Sequence, residues 1–335
     1  MSENNVKLQA GETEKAASAV AASGITVMTE RDMAKVTAKQ RTVKVLVKVV
    51  LYAFLITMAL IVLFPFYWML ISSVKSLEEY NLAIPTLFPL EFHFENYIEG
   101  FKVANLGQLF LNTLYVGVVS TALSLVITVI SAFAFARLEF KGKNALFATL
   151  LATMMIPGEL FTITNYQTIN NFLGLNTLGR ELGSDFLQSI GNWSNSYTVL
   201  IVPFLVSVFY IYLLKQNFMQ IPNELYLAAK VDGTTDIKYL WKVMIPLALP
   251  TIISITILKM MGAWNSYVWP RLVANDDAHK LITNGLRGAD FSVDNMIHYP
   301  RQMAAVAIVS LPLFLVFLFL RKYIMKGVSR SGIKG

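Results

Sequence analysis

The sequence has no cysteine and three histidines among 335 residues, and only 15% of its residues are charged. Without thiols there are no disulfides, no cysteine-ligated zinc and no thiol nucleophile, and three imidazoles leave little material for a histidine-rich metal site. No Gly-x-x-x-x-Gly-Lys-Ser/Thr phosphate loop occurs, so the chain does not cradle nucleotide phosphates by that device. His-Glu-x-x-His, Gly-x-Ser-x-Gly and Cys-x-x-Cys are absent too, which argues against catalysis by this polypeptide and against a cofactor bound to it. What is plentiful is apolar: 55% of the residues are hydrophobic, a composition of membrane proteins rather than soluble domains.

Six stretches are apolar enough to cross a hydrocarbon core, which takes about 20 helical residues. They lie near 49–71, 109–136, 145–164, 198–218, 243–264 and 302–323. Lipid cannot satisfy an open backbone, so an all-α membrane protein with six transmembrane helices is expected. Residues 1–44 are polar, lack the apolar core and cleavage site of a secretory signal, and read as a disordered cytoplasmic tail. Residues 45–335 form the membrane domain.

Basic residues set the orientation. Lys35, Lys39, Arg41, Lys44 and Lys48 precede the first stretch, and Arg321, Lys322, Lys326, Arg330 and Lys334 follow the last, which places both termini inside. The connections after stretches two and four then also face inward, and they carry Arg137, Lys141, Lys143, Lys215, Lys230, Lys238 and Lys242. The opposite connections are acidic, with Glu78, Glu79, Glu91, Glu95, Glu99, Asp276, Asp277, Asp290 and Asp294. This layout accounts for most of the net charge of +7, and no basic-aromatic module supports a nucleic-acid partner.

The inner connection 219–242 reads as helix, turn, helix. Pro222 suits a first helical position, Leu225, Ala228 and Ala229 give a small-residue face, Gly233 can end the helix in a left-handed cap, and Thr235 or Asp236 caps the next. By periodicity this helix could dock another protein or lie on lipid headgroups, and its residues alone do not decide.

Pro222, Glu224, Ala228, Ala229, Asp232 and Gly233, with Ile245-Pro246 and Leu249-Pro250 after them, resemble the signature loop of ABC-importer permeases. The family motif begins Glu-Ala-Ala, whereas this chain has Leu227 where that glutamate would stand. Residues 65–75, 94–97, 112–113, 131–138, 155–159, 174–177 and 264–270 are similar to segments of the maltose-type, carbohydrate-importing branch, in the same order. The resemblance implies a type I importer permease fold in a bacterial cell membrane, with a second permease subunit, two copies of an ATPase that binds ATP and Mg, and an extracytoplasmic solute-binding protein as partners. It implies ATPase docking through Glu224, Leu227, Ala228, Ala229, Asp232 and Gly233. It also implies that the tail 325–335, through Ser329, Gly332 and Lys334, reaches the ATPase; by charge alone that tail is an ordinary positive-inside end. The expected cargo is a sugar or oligosaccharide, with amino acids, peptides or phosphate as alternatives.

Residues for a solute path are sparser. Lys259 is an intramembrane charge, but ~24 Å of helix from the inner boundary would let it snorkel outward. Glu159 follows Pro157-Gly158, where a broken helix could line a water-filled path, or it is an interface carboxylate. Asn112, Asn165, Tyr166 and Gln167 could bond sugar hydroxyls, although polar residues at a membrane interface need no function. Asn265 is a further candidate for the path, and Trp264, Tyr267 and Trp269 could stack on a sugar ring, although an aromatic belt explains these rings equally well. The outer connection from Arg271 to Arg301 is long enough to bind a partner, and residues 179–196 look like an insertion with no evident purpose. An ion-coupled transporter would want acids at mid-span, and a membrane enzyme a nucleophile or metal constellation; neither pattern is present.

Overall fold

The computed structural model describes residues 30–329 and divides the chain into two units, 1–67 and 68–335, each described by itself. The first unit is carried by helix α1, Glu30–Ser72, whose most apolar stretch within Val43–Ser72 buries none of its side chains. A helix this apolar and this exposed is stable only where lipid or protein covers it. It starts at Glu30, so residues 30–44 are helical where a disordered tail is expected; residues 1–29 lie outside the described part. Alanine, lysine and arginine favour helix, and extending a helix already nucleated by an apolar span needs no new nucleus.

The second unit follows as α2 (Leu77–Tyr80), α3 (Glu95–Val103) and α4 (Leu106–Arg137), then α5 (Lys143–Thr153), α6 (Phe161–Asn170), α7 (Leu175–Leu182) and α8 (Asp185–Gly191). Next come α9 (Tyr197–Ile201), α10 (Val208–Met219), α11 (Asn223–Val231) and α12 (Asp236–Tyr239), the last running through a π-helical turn at Leu240–Met244 into α13 (Ile245–Trp264). The chain closes with α14 (Val268–Val273), α15 (Ile282–Gly288), a two-residue hairpin of Ser292–Val293 with Met296–Ile297, and α16 (Tyr299–Ser329).

Among the described residues, Val43–Ser72, Leu106–Arg137, Asp236–Trp264 and Tyr299–Arg321 are each long and apolar enough to cross a bilayer unbroken. The expected third and fourth crossings are bent instead: by 78° between Lys143–Thr153 and Gly158–Leu182, and by 46° between Tyr197–Phe204 and Val208–Met219. If each bent pair is one crossing there are six. A proline that supplies no backbone donor stands at each bend: Pro157 precedes the 3₁₀ turn Gly158–Leu160, and Pro203 lies within the 3₁₀ turn Val202–Phe204.

Helix α4 is the axis of the second unit, packed between α10 and α13. Gly117, Ser120, Thr121, Ser124 and Thr128 line its buried face, and a Cβ added at Gly117 would stand 2.8 Å from the Met260 sulfur. Small side chains substitute close contact for the hydrophobic drive that lipid does not supply. One apolar core lies at the C-terminal end of α4 around Val129, Phe133, Leu214, Phe218, Tyr239 and Met244. Two others sit at its N-terminal end, one around Val116, Trp269 and Leu281 and one around Leu106, Trp264 and Ile282.

Helix α3 meets α16 at Gly100, where an added Cβ would lie 2.6 Å from the Arg301 carbonyl oxygen, a backbone atom that cannot rotate away. Gly100→Val is therefore expected to lower stability by about 1–3 kcal/mol through overpacking, read as an earlier thermal unfolding midpoint in detergent. An unshifted midpoint would contradict the α3–α16 contact.

Candidate functional site

The connection between α10 and α13 is built as a braced loop. Helix α11 begins after Pro222, carries Glu224 in its first turn, and ends at Asp232. Gly233 adopts φ 69°, the left-handed conformation that side chains disfavour. The amide of Gly233 donates to the Lys230 carbonyl at 3.0 Å and that of Thr234 to the Ala229 carbonyl at 2.8 Å, the paired bonds of a Schellman cap. Thr235, rather than Asp236, caps the next helix, accepting from the Lys238 amide.

Two side-chain clusters fix this loop to the bundle. Arg137, at the last turn of α4, donates to the carbonyls of Phe218 at 3.0 Å and Ile221 at 2.5 Å and to Asn223 Oδ1 at 3.4 Å. The carbonyls at the C-terminus of α10 carry partial negative charge, so a cation is the fitting partner. Across the turn, Tyr226 donates to Asp236 Oδ1 at 2.8 Å, and Lys230 Nζ lies 2.6 Å from the same oxygen. The hydrogen bond to Asp236 holds the Lys230 ammonium above the usual lysine range. Tyr226 also packs on Tyr239, with ring centroids 5.2 Å apart.

Tyr226 and Ala229 therefore face the bundle core, while Glu224, Leu227, Ala228 and Val231, spaced i, i+3, i+4 and i+7, face away. The expected face of Leu225, Ala228 and Ala229 is split: Ala229 packs with Tyr226 against the core, while Leu225 and Ala228 are exposed. Val231 is 88% exposed, and Leu227, Ile237 and Trp241 are exposed on the same loop. Leu227 is one of these exposed apolar side chains, standing where the family glutamate would. Gly332 and Lys334 lie outside the described residues, and Ser329 is the last residue of α16, its side chain outside the described part.

At the other end of α4 the fold uses residues differently from the expected path. Asn112 is buried and accepts from Gln108 and Tyr197 while donating to the carbonyls of Ala278 and Lys280 at 2.8 and 2.9 Å. Its amide group pins the 271–301 connection to α4, while its oxygen is filled by Gln108 and Tyr197. Trp264 is buried against Phe110, and the Trp269 indole is buried and donates to the Val199 carbonyl, so neither belongs to a lipid-facing belt. The long connection covers them: α15 packs on α4, and Asn284 is buried with bonds to Pro270 and Ala274. Asn265 follows α13 and is exposed, and Glu159 is exposed on the 3₁₀ turn at the 78° bend. The 179–196 stretch is a pair of short helices, α7 and α8, pressed together at Gly179 and Gly191, where any Cβ would collide with Gln188 or Asn176.

Lys259 is held by a backbone carbonyl. Its ammonium donates to the Phe204 carbonyl at the bend between α9 and α10, and it lies 6.0 Å from the Tyr210 ring. Around it is a cavity of ≈ 390 Å³ between α4, α10 and α13, with Ser120, Ser207 and Ser266 in its wall.

The sequence offered Lys75 and Glu79 only as members of a motif and of an acidic loop. Both are buried, and they form one network: Lys75 donates to the Thr86 carbonyl at 2.5 Å, while Glu79 accepts from the Thr86 hydroxyl at 2.5 Å and from the Leu90 amide at 3.1 Å. Their i, i+4 spacing was the available signal. Among the described residues no cluster of three or more metal-ligating side chains occurs.

Arg137→Ala leaves three acceptors without their cation and is expected to loosen the loop by about 2 kcal/mol, seen as faster proteolysis near Pro222. Gly233→Val strains the cap by about 1–2 kcal/mol and should abolish uptake while membrane insertion stays normal. Full uptake by Gly233→Val would contradict a working role for the turn.

Residues 124–330, which include the braced loop and Lys259, match the family model described as "Binding-protein-dependent transport system inner membrane component". The diacetylchitobiose uptake system permease protein NgcG of Streptomyces coelicolor is 30% identical over 84% of this chain and 87% of its own. The arabinooligosaccharides transport system permease protein AraQ of Bacillus subtilis is 27% identical over 86% of this chain and 96% of its own. A chain of a bacterial ABC transporter that imports the acidic polysaccharide alginate superposes with TM-score 0.66 at 21% identity, over 89% of this chain and 99% of that one, which shows a shared fold. The chain belongs to the family of inner-membrane components of binding-protein-dependent transport systems.

Proposed function

We propose that this chain is the translocating subunit of an ATP-driven importer for a sugar or oligosaccharide, and that α11 is where a separate ATPase grips it. Six crossings with both termini inside are supported by the basic flanks and by four unbroken helices and two bent pairs. A second permease subunit, two ATPase copies and an external solute-binding protein complete the machine. The binding-protein partner draws support from the alginate importer, whose related structure is a complex with a pentasaccharide-bound periplasmic protein. A saccharide cargo is supported by the relatives named for diacetylchitobiose, arabinooligosaccharides and polygalacturonan or rhamnogalacturonan. ATP and Mg are bound by the partner, since this chain carries no phosphate loop.

One observation carries the reading: α11, with its exposed apolar face, is joined to α4 through the bonds of Arg137 to Asn223 and to the carbonyls just before it, and to α12 through Asp236. Motion imposed on that face is passed to the crossing helices as rigid-body rotation, the kind of movement that alternates access across a membrane. A helix merely resting on headgroups would not need this bracing. The tagged chain, expressed with its neighbours, is expected to bring down a phosphate-loop ATPase, and Val231→Asp should cut recovery at least tenfold while membrane insertion is unchanged. Equal recovery with Val231→Asp would mean that the ATPase grips elsewhere.

A further inference from the structure

We infer that Lys259 and the hydroxyls around it form a subsite for an anionic group, a carboxylate or phosphate, on the solute being moved. This rests on the importer reading above and narrows its cargo to acidic or phosphorylated saccharides.

The ammonium has three protons, and one of them goes to the Phe204 carbonyl. Among the described residues no carboxylate pairs with it, and the cavity wall contains no aspartate or glutamate. Ser120, Ser207, Tyr210 and Ser266 line the same space and can donate or accept. The bend supplies further polarity, because the α ladder is interrupted between Phe204 and Val208.

A charge in a membrane segment without a counter-ion is costly, and capping one free carbonyl does not require it, since a neutral serine or asparagine would serve. The arrangement makes sense if the missing counter-ion arrives with the ligand. The cavity, ≈ 390 Å³, falls within the range of about 300–1,000 Å³ usual for small-molecule sites and can hold one sugar ring with its acid group. Trp269 in the wall offers an apolar face to the rest of that ring.

The same chemistry would hold a phospholipid headgroup, or an acid from the second permease subunit, so the experiment separates these. The assembled importer is placed in nanodiscs of phosphatidylcholine alone, and trigalacturonate and galactotriose are the probes. Binding of trigalacturonate is expected to be at least tenfold tighter than that of galactotriose. Lys259→Gln should reduce the preference to about twofold or less, Lys259→Arg should retain it, and Ser120→Val, which narrows the cavity without touching the Lys259–Phe204 contact, should weaken it. No preference in the wild type, or a preference that survives Lys259→Gln, overturns the inference. So does native mass spectrometry showing a bound phospholipid that Lys259→Gln releases, or loss of the second permease subunit from that variant. ATPase co-purification is scored in every sample: its absence from the wild type would sink the importer reading, whereas its presence with unselective binding would sink the subsite alone.

Discussion

The arrangement at the end of α4 depends on one cation. Arg137 joins the last turn of α4 to the carbonyls that close α10, at the point where the chain leaves the bundle for α11. A helix C-terminus in a membrane protein ends in carbonyls without partners, and a guanidinium with several donors in a plane can satisfy more than one of them. The Tyr226–Asp236–Lys230 cluster closes the other side of the loop. With both sides tied, α11 becomes an extension of the crossing helices, and force on its exposed face has somewhere to go.

The same economy governs the interior. Several carbonyls outside the helical ladders are met by side chains: Phe204 by Lys259, Val199 by Trp269, and Ala278 and Lys280 by Asn112. Such pairing offsets the cost of an unpaired backbone group away from water, which is several kcal/mol. Lys259 is the exception that invites a ligand, because a backbone carbonyl satisfies one of its protons but does not neutralise its charge.

Much of this was legible in the sequence, and the reasons differ by residue. Long apolar runs announce spanning helices because the period and length are set by the bilayer, and Gly233 announced its turn because its backbone conformation suits almost nothing else. The direction of Ala229 was not legible: neighbouring alanines look alike in sequence, and which one faces inward is decided by the tyrosine packed beside it. The roles of Asn112, Trp264 and Trp269 were hidden for a different reason. Asn112 reaches Lys280 on the long outer connection, Trp264 packs on Phe110 and Trp269 reaches Val199, and contacts so far apart along the chain leave no periodic trace. The bends were half legible, since Pro157 and Pro203 mark where a helix can break but not by how much.

The account's central claim is that the exposed face of α11 lies on the ATP side and is covered by the motor protein. Because the chain has no natural cysteine, a single Val231→Cys substitution gives an unambiguous label site. Reaction with a membrane-impermeant maleimide should occur in inside-out vesicles and not in right-side-out ones, and bound ATPase should slow it. Labelling from the outer side, or at a rate indifferent to the ATPase, would contradict the account.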